Sequence, residues 1–347
     1  MPKSFSKLSL LSPQKLHSLL GFQNKVKVLD ASWHMPNLNP PRNGYAEYLA
    51  SRIPGALFWN VDRIANTEPI QIGQTSIQLP HMIPSAAVFQ DACQKLGIER
   101  DDHLVIYDSV GMFASPRTAW TFAAFGHPKI SLLEGGLPLF ASLYPTASTG
   151  SPEPKDSPES QGPARSEAFY HSSNAQSHSV YPLPDLHSRV VTSYDGITSQ
   201  ILAKKGDVIF DARPGPRFEG SAPEPRPGLS SGHMPGSFSL PFPKLLQSKV
   251  EGFPFGSLLP KKELEAVFSS TVGDEVWKDI KEGERNITVS CGSGMTASIL
   301  WAGLARVGLA TPFEEDGQVN IASDQVALYD ESWSGYAARP QSRIEKS

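Results

Sequence analysis

The sequence predicts an α/β protein built as two tandem copies of one domain, each a parallel sheet with helices on both faces, joined by a long flexible linker. Three observations carry that prediction. The first is an internal repeat. Val28-Leu29-Asp30-Ala31-Ser32 recurs as Val208-Ile209-Phe210-Asp211-Ala212-Arg213, Arg52-Ile53-Pro54-Gly55-Ala56 as His233-Met234-Pro235-Gly236-Ser237, and Leu104-Val105-Ile106-Tyr107-Asp108 as Ile287-Thr288-Val289-Ser290-Cys291. The offsets, about 180, 181 and 183 residues, are nearly constant, as a duplication requires. The second is the alternation of short β-branched runs with helical patterns, which implies parallel strands covered on both sides. The third is length: 347 residues exceed what one core organises, and two domains are expected.

Taken in order, residues 8–143 form the first domain. Leu11-Ser12-Pro13 followed by Gln14-Lys15-Leu16 reads as a capped helix start with proline in the first turn. Residues 25–29 and 104–107 read as buried strands, and 84–96 and 117–125 as helices. Residues 144–189 shift to Ser, Pro, Gln and His, including Ser151-Pro152-Glu153-Pro154. Such a stretch buries too little apolar area to offset the entropy of ordering it, so it is expected to be a flexible linker. Residues 190–340 form the second domain, with strands at 208–210 and 287–290 and helices at 260–268 and 296–307.

The bulk numbers narrow the function classes. With 39% hydrophobic and 19% charged residues and a net charge of -4, the composition offers no basic surface for nucleic acid or an anionic membrane. No apolar run approaches the ~18 residues that span a bilayer. Two cysteines, Cys93 and Cys291, cannot build a disulfide framework and point to a reducing compartment. Neither has a second Cys or a His at metal-ligand spacing, so no metal site and no cofactor are expected. The N-terminal residues carry lysines and no acid before Asp30, like a transit peptide, yet no arginine precedes Arg42; mitochondrion and cytoplasm both stay open.

The chemistry-bearing segment is Val289-Ser290-Cys291-Gly292-Ser293-Gly294-Met295-Thr296-Ala297. Cys291 ends a buried strand and a helix follows. Glycines let backbone N–H groups turn inward toward one point, and such a nest before a helix N-terminus favours an anion. A thiolate or a persulfide anion placed there would be stabilised, and the thiol pKa would fall below its usual ~8.5. Taken alone, the loop also fits a core cysteine beside a glycine turn. Cysteine phosphatase chemistry needs an arginine six positions after the cysteine to grip phosphate; this chain has Ala297. The repeat puts Asp108 opposite Cys291, and an aspartate cannot carry a persulfide, so one active site per chain is expected. Cys93, inside a helical pattern, reads as a core thiol.

The whole pattern resembles the two-domain rhodanese family, and most closely its 3-mercaptopyruvate sulfurtransferase branch. The resemblance rests on Leu29-Asp30-Ala31-Ser32-Trp33, the Arg52-Ile53-Pro54-Gly55-Ala56 run, Pro80-His81-Met82-Ile83-Pro84-Ser85 and Phe125-Gly126-His127. In the second half it rests on Asp211-Ala212-Arg213, Arg217-Phe218-Glu219-Gly220, Pro223-Glu224-Pro225-Arg226, Ser231-Gly232-His233-Met234-Pro235-Gly236 and the Cys291 loop. It implies an inactive first domain, a catalytic second domain, and sulfur carried as a Cys291 persulfide. Thiosulfate-preferring members place Arg and Lys directly after the cysteine; Gly292 and Ser293 are neutral, as in mercaptopyruvate members. Arg217 and Arg226 match the family's carboxylate-binding arginines, whose planar forks suit a 2-oxo acid. Ser293, His81 and Asp62 match a Ser-His-Asp relay that protonates the departing pyruvate enolate. Gly292, Gly294, Met295 and Thr296 complete the substrate loop.

The resemblance further implies a monomer that hands sulfur to a thiol acceptor such as thioredoxin or to sulfur-relay proteins. Two other activities fit the same features: thiosulfate sulfurtransfer to cyanide or a thiol, and a persulfide relay or scaffold in tRNA thiolation. The auxiliary residues have plainer alternatives. Arg217 and Arg226 could form salt bridges, His81 could pack beside the turn at Ile83-Pro84, and Asp62 could brace the loop 60–64. Asp211, Arg213 and His233 read as structural, because their positions recur in the inactive half. The chain departs from the family pattern at Met295, in the long linker, and at 310–328, where an insertion precedes Asp330-Glu331-Ser332-Trp333.

Overall fold

The structure is a computed structural model that describes residues 6–20, 25–145, 180–203, 206–315, 317–319 and 325–347. The chain forms two units. The first comprises Met1–Ala65, Pro84–Leu186 and Ser248–Gly256; the second comprises Asn66–Ile83, His187–Gln247 and Ser257–Ser347. Each is an α/β domain, as the alternating pattern predicts.

In the first unit the parallel strands run in the order Lys7–Leu11, Lys129–Leu133, His103–Tyr107, Val26–Asp30 and Leu57–Phe58. The second unit repeats that order with Val191–Thr192, Val326–Tyr329, Ile287–Ser290, Val208–Asp211 and Phe238–Ser239. In both, the strand leading into the key loop is central. Every residue of Val208–Asp211 and Ile287–Ser290 is buried, which a strand achieves only when helices cover both faces. The sequence-derived strands and helices match observed ones to within a few residues, including Ala86–Lys95, Ser115–Ala124, Lys261–Val272 and Ala297–Arg306.

Local chemistry sets the helix starts. Ser12 accepts a hydrogen bond from the Lys15 N–H at 3.3 Å, with Pro13 in the first turn of the helix Pro13–Leu19. Ser85 caps Ala86–Lys95 in the same way, accepting from the Val88 N–H at 3.3 Å.

Most of the expected linker, residues 146–179, lies outside the described residues. Its far end is anchored. Tyr181 is fully buried in the first unit, its hydroxyl 3.0 Å from His127 Nδ1, and its carbonyl accepts from Gln90 Nε2 at 2.8 Å. In the 310–328 insertion, Phe313–Glu315 and Gln318–Val319 pair antiparallel as a small hairpin. Cys93 is buried, and burial pushes its thiol well above the ordinary range, so it is an inert core residue.

Candidate active site in the second unit

Cys291 follows the fully buried strand Ile287–Ser290 and is itself 2% exposed. Gly294 has φ +81°, a left-handed backbone that turns the loop into the helix Ala297–Arg306. That helix, with every residue buried, fixes the loop from below. Ser293 and Met295 are buried, and Thr296 is half-buried at the helix start.

The loop backbone is held from behind by the start of the helix Ser332–Ala337. Ser332 Oγ accepts from the Cys291 N–H at 3.2 Å, and the Trp333 N–H donates to the Cys291 carbonyl at 2.9 Å. Ser334 donates twice to the Gly292 carbonyl, from its N–H at 3.0 Å and its hydroxyl at 2.6 Å. Both carbonyls are thus engaged, and the cysteine side chain stands on a peptide held by hydrogen bonds. Ser332 adopts φ +51°, an unfavourable backbone for a residue with a Cβ, retained where its hydroxyl is needed.

Two guanidinium groups stand beside Gly292. A Cβ at that position would lie 3.1 Å from Arg217 Nη2 and 3.8 Å from Arg226 Nη1. The space that a side chain after the cysteine would take is already filled by arginines arriving from residues 217 and 226. The positive charge is therefore supplied through space, and the neutral Gly292 is what admits it.

A buried ion-pair chain holds Arg217. Glu224, 2% exposed, binds Arg217 Nε at 3.1 Å through Oε2, pairs with its Nη2 through the same oxygen, and binds Arg213 Nη1 at 2.7 Å through Oε1. Arg213 also forks onto Asp211, with Nη2 to Oδ2 at 2.6 Å, and stacks 4.1 Å over the Trp333 ring. Burial opposes the Arg213 charge, but the carboxylates of Asp211 and Glu224 outweigh it and raise its pKa. The sequence reading of Asp211 and Arg213 as structural fits this geometry. His233 fits as well: it stacks on Phe218 at 4.0 Å, its Nδ1 2.9 Å from the Phe218 carbonyl.

His81 belongs to the second unit although it lies in the first sequence repeat, because Asn66–Ile83 packs there. It is buried, with φ +62°. Its segment is tied to the turn that braces Cys291: the Ile83 N–H donates to Asp330 Oδ2 at 2.6 Å, and Leu79 Cδ1 would stand 3.1 Å from a Cβ on Gly335. Asp62 lies in the first unit, exposed, and accepts from Trp33 Nε1 at 2.9 Å; its N–H and that of Arg63 are capped by Asn60 Oδ1. Cys291, Ser293, Arg217, Arg226 and His81 all belong to the second unit, and Asp62 to the first.

Sequence reasoning assigned no role to Glu224, Ser332, Ser334 or Asp330. Glu224 had a readable signal, a carboxylate between two prolines and two residues before Arg226, in a segment carrying two other arginines. The serines had none, since their roles depend on how the chain returns to the loop.

The first unit shows what this loop architecture does with an anion. Asp108, at the position matching Cys291, is buried. Its Oδ2 accepts from the N–H groups of Phe113, Ala114 and Ser115 at 2.8, 2.9 and 2.9 Å and from Ser115 Oγ at 2.8 Å. Its Oδ1 accepts from the Val110 N–H at 3.1 Å. The loop and helix start converge donors on one anionic side chain, as an anion nest does.

Comparison with known proteins agrees with this geometry. Residues 12–143 match the rhodanese-like domain family. The chain is 36% identical over 335 residues to thiosulfate/3-mercaptopyruvate sulfurtransferase 2 of Arabidopsis thaliana, covering 95% of this chain and 84% of that protein. It is 34% identical over 338 residues to a probable 3-mercaptopyruvate sulfurtransferase of Schizosaccharomyces pombe, covering 96% and 94%. Among solved structures, the sulfur transferase subunit of yeast mitochondrial complex I matches with a TM-score of 0.71 and 30% identity, covering 98% of this chain and 99% of that one. With its duplicated α/β unit, its cysteine loop and relatives at this identity over nearly its full length, the chain belongs to the rhodanese family of thiosulfate/3-mercaptopyruvate sulfurtransferases.

Proposed function

We propose that the protein takes sulfur from 3-mercaptopyruvate as a persulfide on Cys291, releases pyruvate, and passes the sulfur to a thiol acceptor. The observation that supports this best is the pair of guanidinium groups of Arg217 and Arg226 beside Gly292, next to the cysteine. A forked cation matches the carboxylate and keto oxygen of a 2-oxo acid. The Cys291 thiolate attacks the substrate sulfur. An S–S bond forms, the C–S bond breaks, and its electron pair stays on carbon as the pyruvate enolate. That carbon takes one proton, delivered by Ser293 and restored through His81, leaving pyruvate and the persulfide. An acceptor thiolate, such as that of thioredoxin, then attacks the outer sulfur and Cys291 departs as the thiolate. Gly294, Met295 and Thr296 shape the loop that receives the second sulfur.

Thiosulfate is the second reading, favoured by the Arabidopsis relative whose name carries both donors. In that case the persulfide forms with loss of sulfite. The protein is proposed to act as a monomer in mitochondrion or cytoplasm; one relative is named as mitochondrial. No helix among the described residues is long and apolar enough to cross a membrane.

Pyruvate release from 3-mercaptopyruvate tests the proposal. Cys291→Ala should abolish it, and Arg217→Ala or Arg226→Ala should raise KM about tenfold or more. Turnover persisting in the cysteine variant would overturn it. A kcat/KM for thiosulfate above that for mercaptopyruvate would replace it with the second reading.

A further inference from the structure

Arg217 stands on a segment whose neck is closed by residues distant in sequence. Its short helix, Gly215–Glu219, ends at Gly220, and the chain returns at Gly232 and His233 after passing Glu224 and Arg226. The Gly232 N–H donates to the Arg217 carbonyl at 3.0 Å, and the Gly232 carbonyl accepts from Arg213 Nη2 at 2.7 Å. Residues 343–347 then cross the neck. Glu345 makes both backbone bonds with His233, its N–H donating at 3.0 Å and its carbonyl accepting at 2.8 Å. The Ser347 N–H donates to the Glu219 carbonyl at 3.1 Å, on the outgoing side of the neck.

Two glycines make room for the crossing. A Cβ on Gly232, at φ +128°, would stand 2.5 Å from the Glu345 carbonyl oxygen, and one on Gly220, at φ +87°, 2.8 Å from Lys346 Cγ. The crossing segment is itself anchored. The Tyr336 hydroxyl donates to the Arg343 carbonyl at 2.8 Å, and Ile344 packs on the buried cluster that contains Ile209, Trp333 and Tyr336. Trp333 also braces the Cys291 carbonyl through its backbone N–H, and its ring N–H donates to the Ser230 carbonyl of the arginine segment at 2.9 Å. One buried cluster therefore supports both the cysteine loop and the residues that close the arginine segment.

We propose that residues 344–347 are a positioning strap that fixes the peptide carrying Arg217, and so presents its guanidinium beside Gly292 in one orientation toward the carboxylate of the sulfur donor. The strap acts through its backbone. The Glu345 carboxylate is 46% exposed and 4.0 Å from His233 Nε2, where an ion pair contributes little. A planar fork binds a carboxylate well in one orientation, so loosening the peptide beneath it costs affinity for the donor. The inference rests on the proposed sulfurtransferase reading, in which Arg217 holds the 2-oxo acid.

Two measurements decide it. In the turnover arm, KM and kcat for 3-mercaptopyruvate are compared in the wild type, Glu345→Pro, Glu345→Ala and a chain lacking residues 345–347, with thermal unfolding alongside. Glu345→Pro removes the backbone donor, and Glu345→Ala removes only the carboxylate. KM should rise about tenfold in the Pro and deletion variants with kcat held within about twofold, and Glu345→Ala should keep KM within about twofold. Lower kcat and a lower unfolding temperature at unchanged KM would mean a merely structural role and would overturn the proposal. A rise in Glu345→Ala equal to that in Glu345→Pro would overturn it too, by assigning the effect to the carboxylate. In the second arm, hydrogen exchange is followed in the wild type with and without saturating pyruvate. A ligand that favours the strapped form must tighten the strap in return, so the Glu345 and Ser347 amides should exchange several-fold more slowly with pyruvate bound. Exchange unaltered by pyruvate overturns the proposal even if neither strap variant folds. A wild type that releases no pyruvate from 3-mercaptopyruvate defeats the sulfurtransferase reading, and the strap's ligand with it. A wild type that does so while its strap variants keep their KM defeats the strap alone.

Discussion

The two units carry the same loop on the same strand and fill it differently. In the first, the Asp108 carboxylate takes four backbone N–H groups and one hydroxyl, so the nest is occupied by its own chain. In the second, the matching residue is a thiol. The surroundings diverge with it. Ser109, opposite Gly292 in the repeat, donates to Glu47 Oε2 at 2.7 Å, where the second unit has guanidinium groups. Asp30 has Ser32 two residues on, where Asp211 has Arg213. The difference teaches that anion binding belongs to the fold, while the choice of anion, structural or reactive, belongs to one side chain and the charges that face it.

The largest test exchanges the occupants. Cys291→Asp should fold, because the same architecture already holds a carboxylate in the first unit, and turnover should fall by at least ~10³. Pyruvate release assays with thermal unfolding alongside would show it. If the variant unfolds, the two nests are not equivalent and the comparison breaks.

Next in size is the loss of the first nest's occupant. Asp108→Ala leaves buried donors without their acceptor, and unfolding free energy should drop by about 3 to 5 kcal/mol. Asp108→Cys should recover part of this at pH values where a thiolate forms. Its alkylation rate should titrate below ~8.5 if the nest favours an anion regardless of which side chain bears it. A thiol there that titrates above that value would show that the nest is specific to a carboxylate.

Asp30 gives a smaller effect with a defined pH signature. Burial raises its carboxyl to about 7, with Asp108 adding to the rise and hydrogen bonds from Ser32 opposing it. A carboxyl whose folded pKa lies above its unfolded value binds more protons when folded. Its contribution to stability is therefore present at low pH and lost as pH climbs from about 4 to about 7. Asp30→Asn removes that loss. Urea unfolding should show the variant gaining on the wild type by about 2 to 3 kcal/mol between pH 5 and pH 8. A gap that stays constant with pH would mean that Asp30 finds a cation in the folded protein, as Asp211 does in Arg213.

These contrasts also mark what the sequence could disclose. Periodicity exposes the strands and helices because each must present a continuous apolar surface to its neighbours, and the repeat pairs Asp108 with Cys291 directly. The Cys291 loop and its arginines are legible because glycine and guanidinium chemistry is local. Segment membership is not. Asn66–Ile83 packs in the second unit and Ser248–Gly256 in the first, where the Gly135 N–H donates to the Gly256 carbonyl at 2.5 Å. No local pattern encodes a choice made by tertiary packing. Tyr181 was hidden for the opposite reason: a single buried aromatic in a polar, proline-rich stretch does not move its composition.

The smallest test concerns the turn that braces the loop. Gly136 and Ser332 occupy matching places, both at φ +51°, and the next residue's N–H binds the carbonyl of Asp108 at 3.1 Å or of Cys291 at 2.9 Å. In the first unit a Cβ would stand 2.5 Å from the Asp108 carbonyl oxygen, so only glycine fits. In the second unit a serine is tolerated despite its backbone, and its hydroxyl accepts from the Cys291 N–H. Ser332→Gly relieves about 1 kcal/mol of left-handed strain and forfeits a hydrogen bond of similar worth, so stability should change by less than about 1 kcal/mol. The reactive residue loses its backbone anchor, and kcat should fall several-fold with KM little changed. If stability rises by the full strain energy and kcat is unaltered, the serine contributes nothing to the cysteine, and the two turns differ only by tolerance.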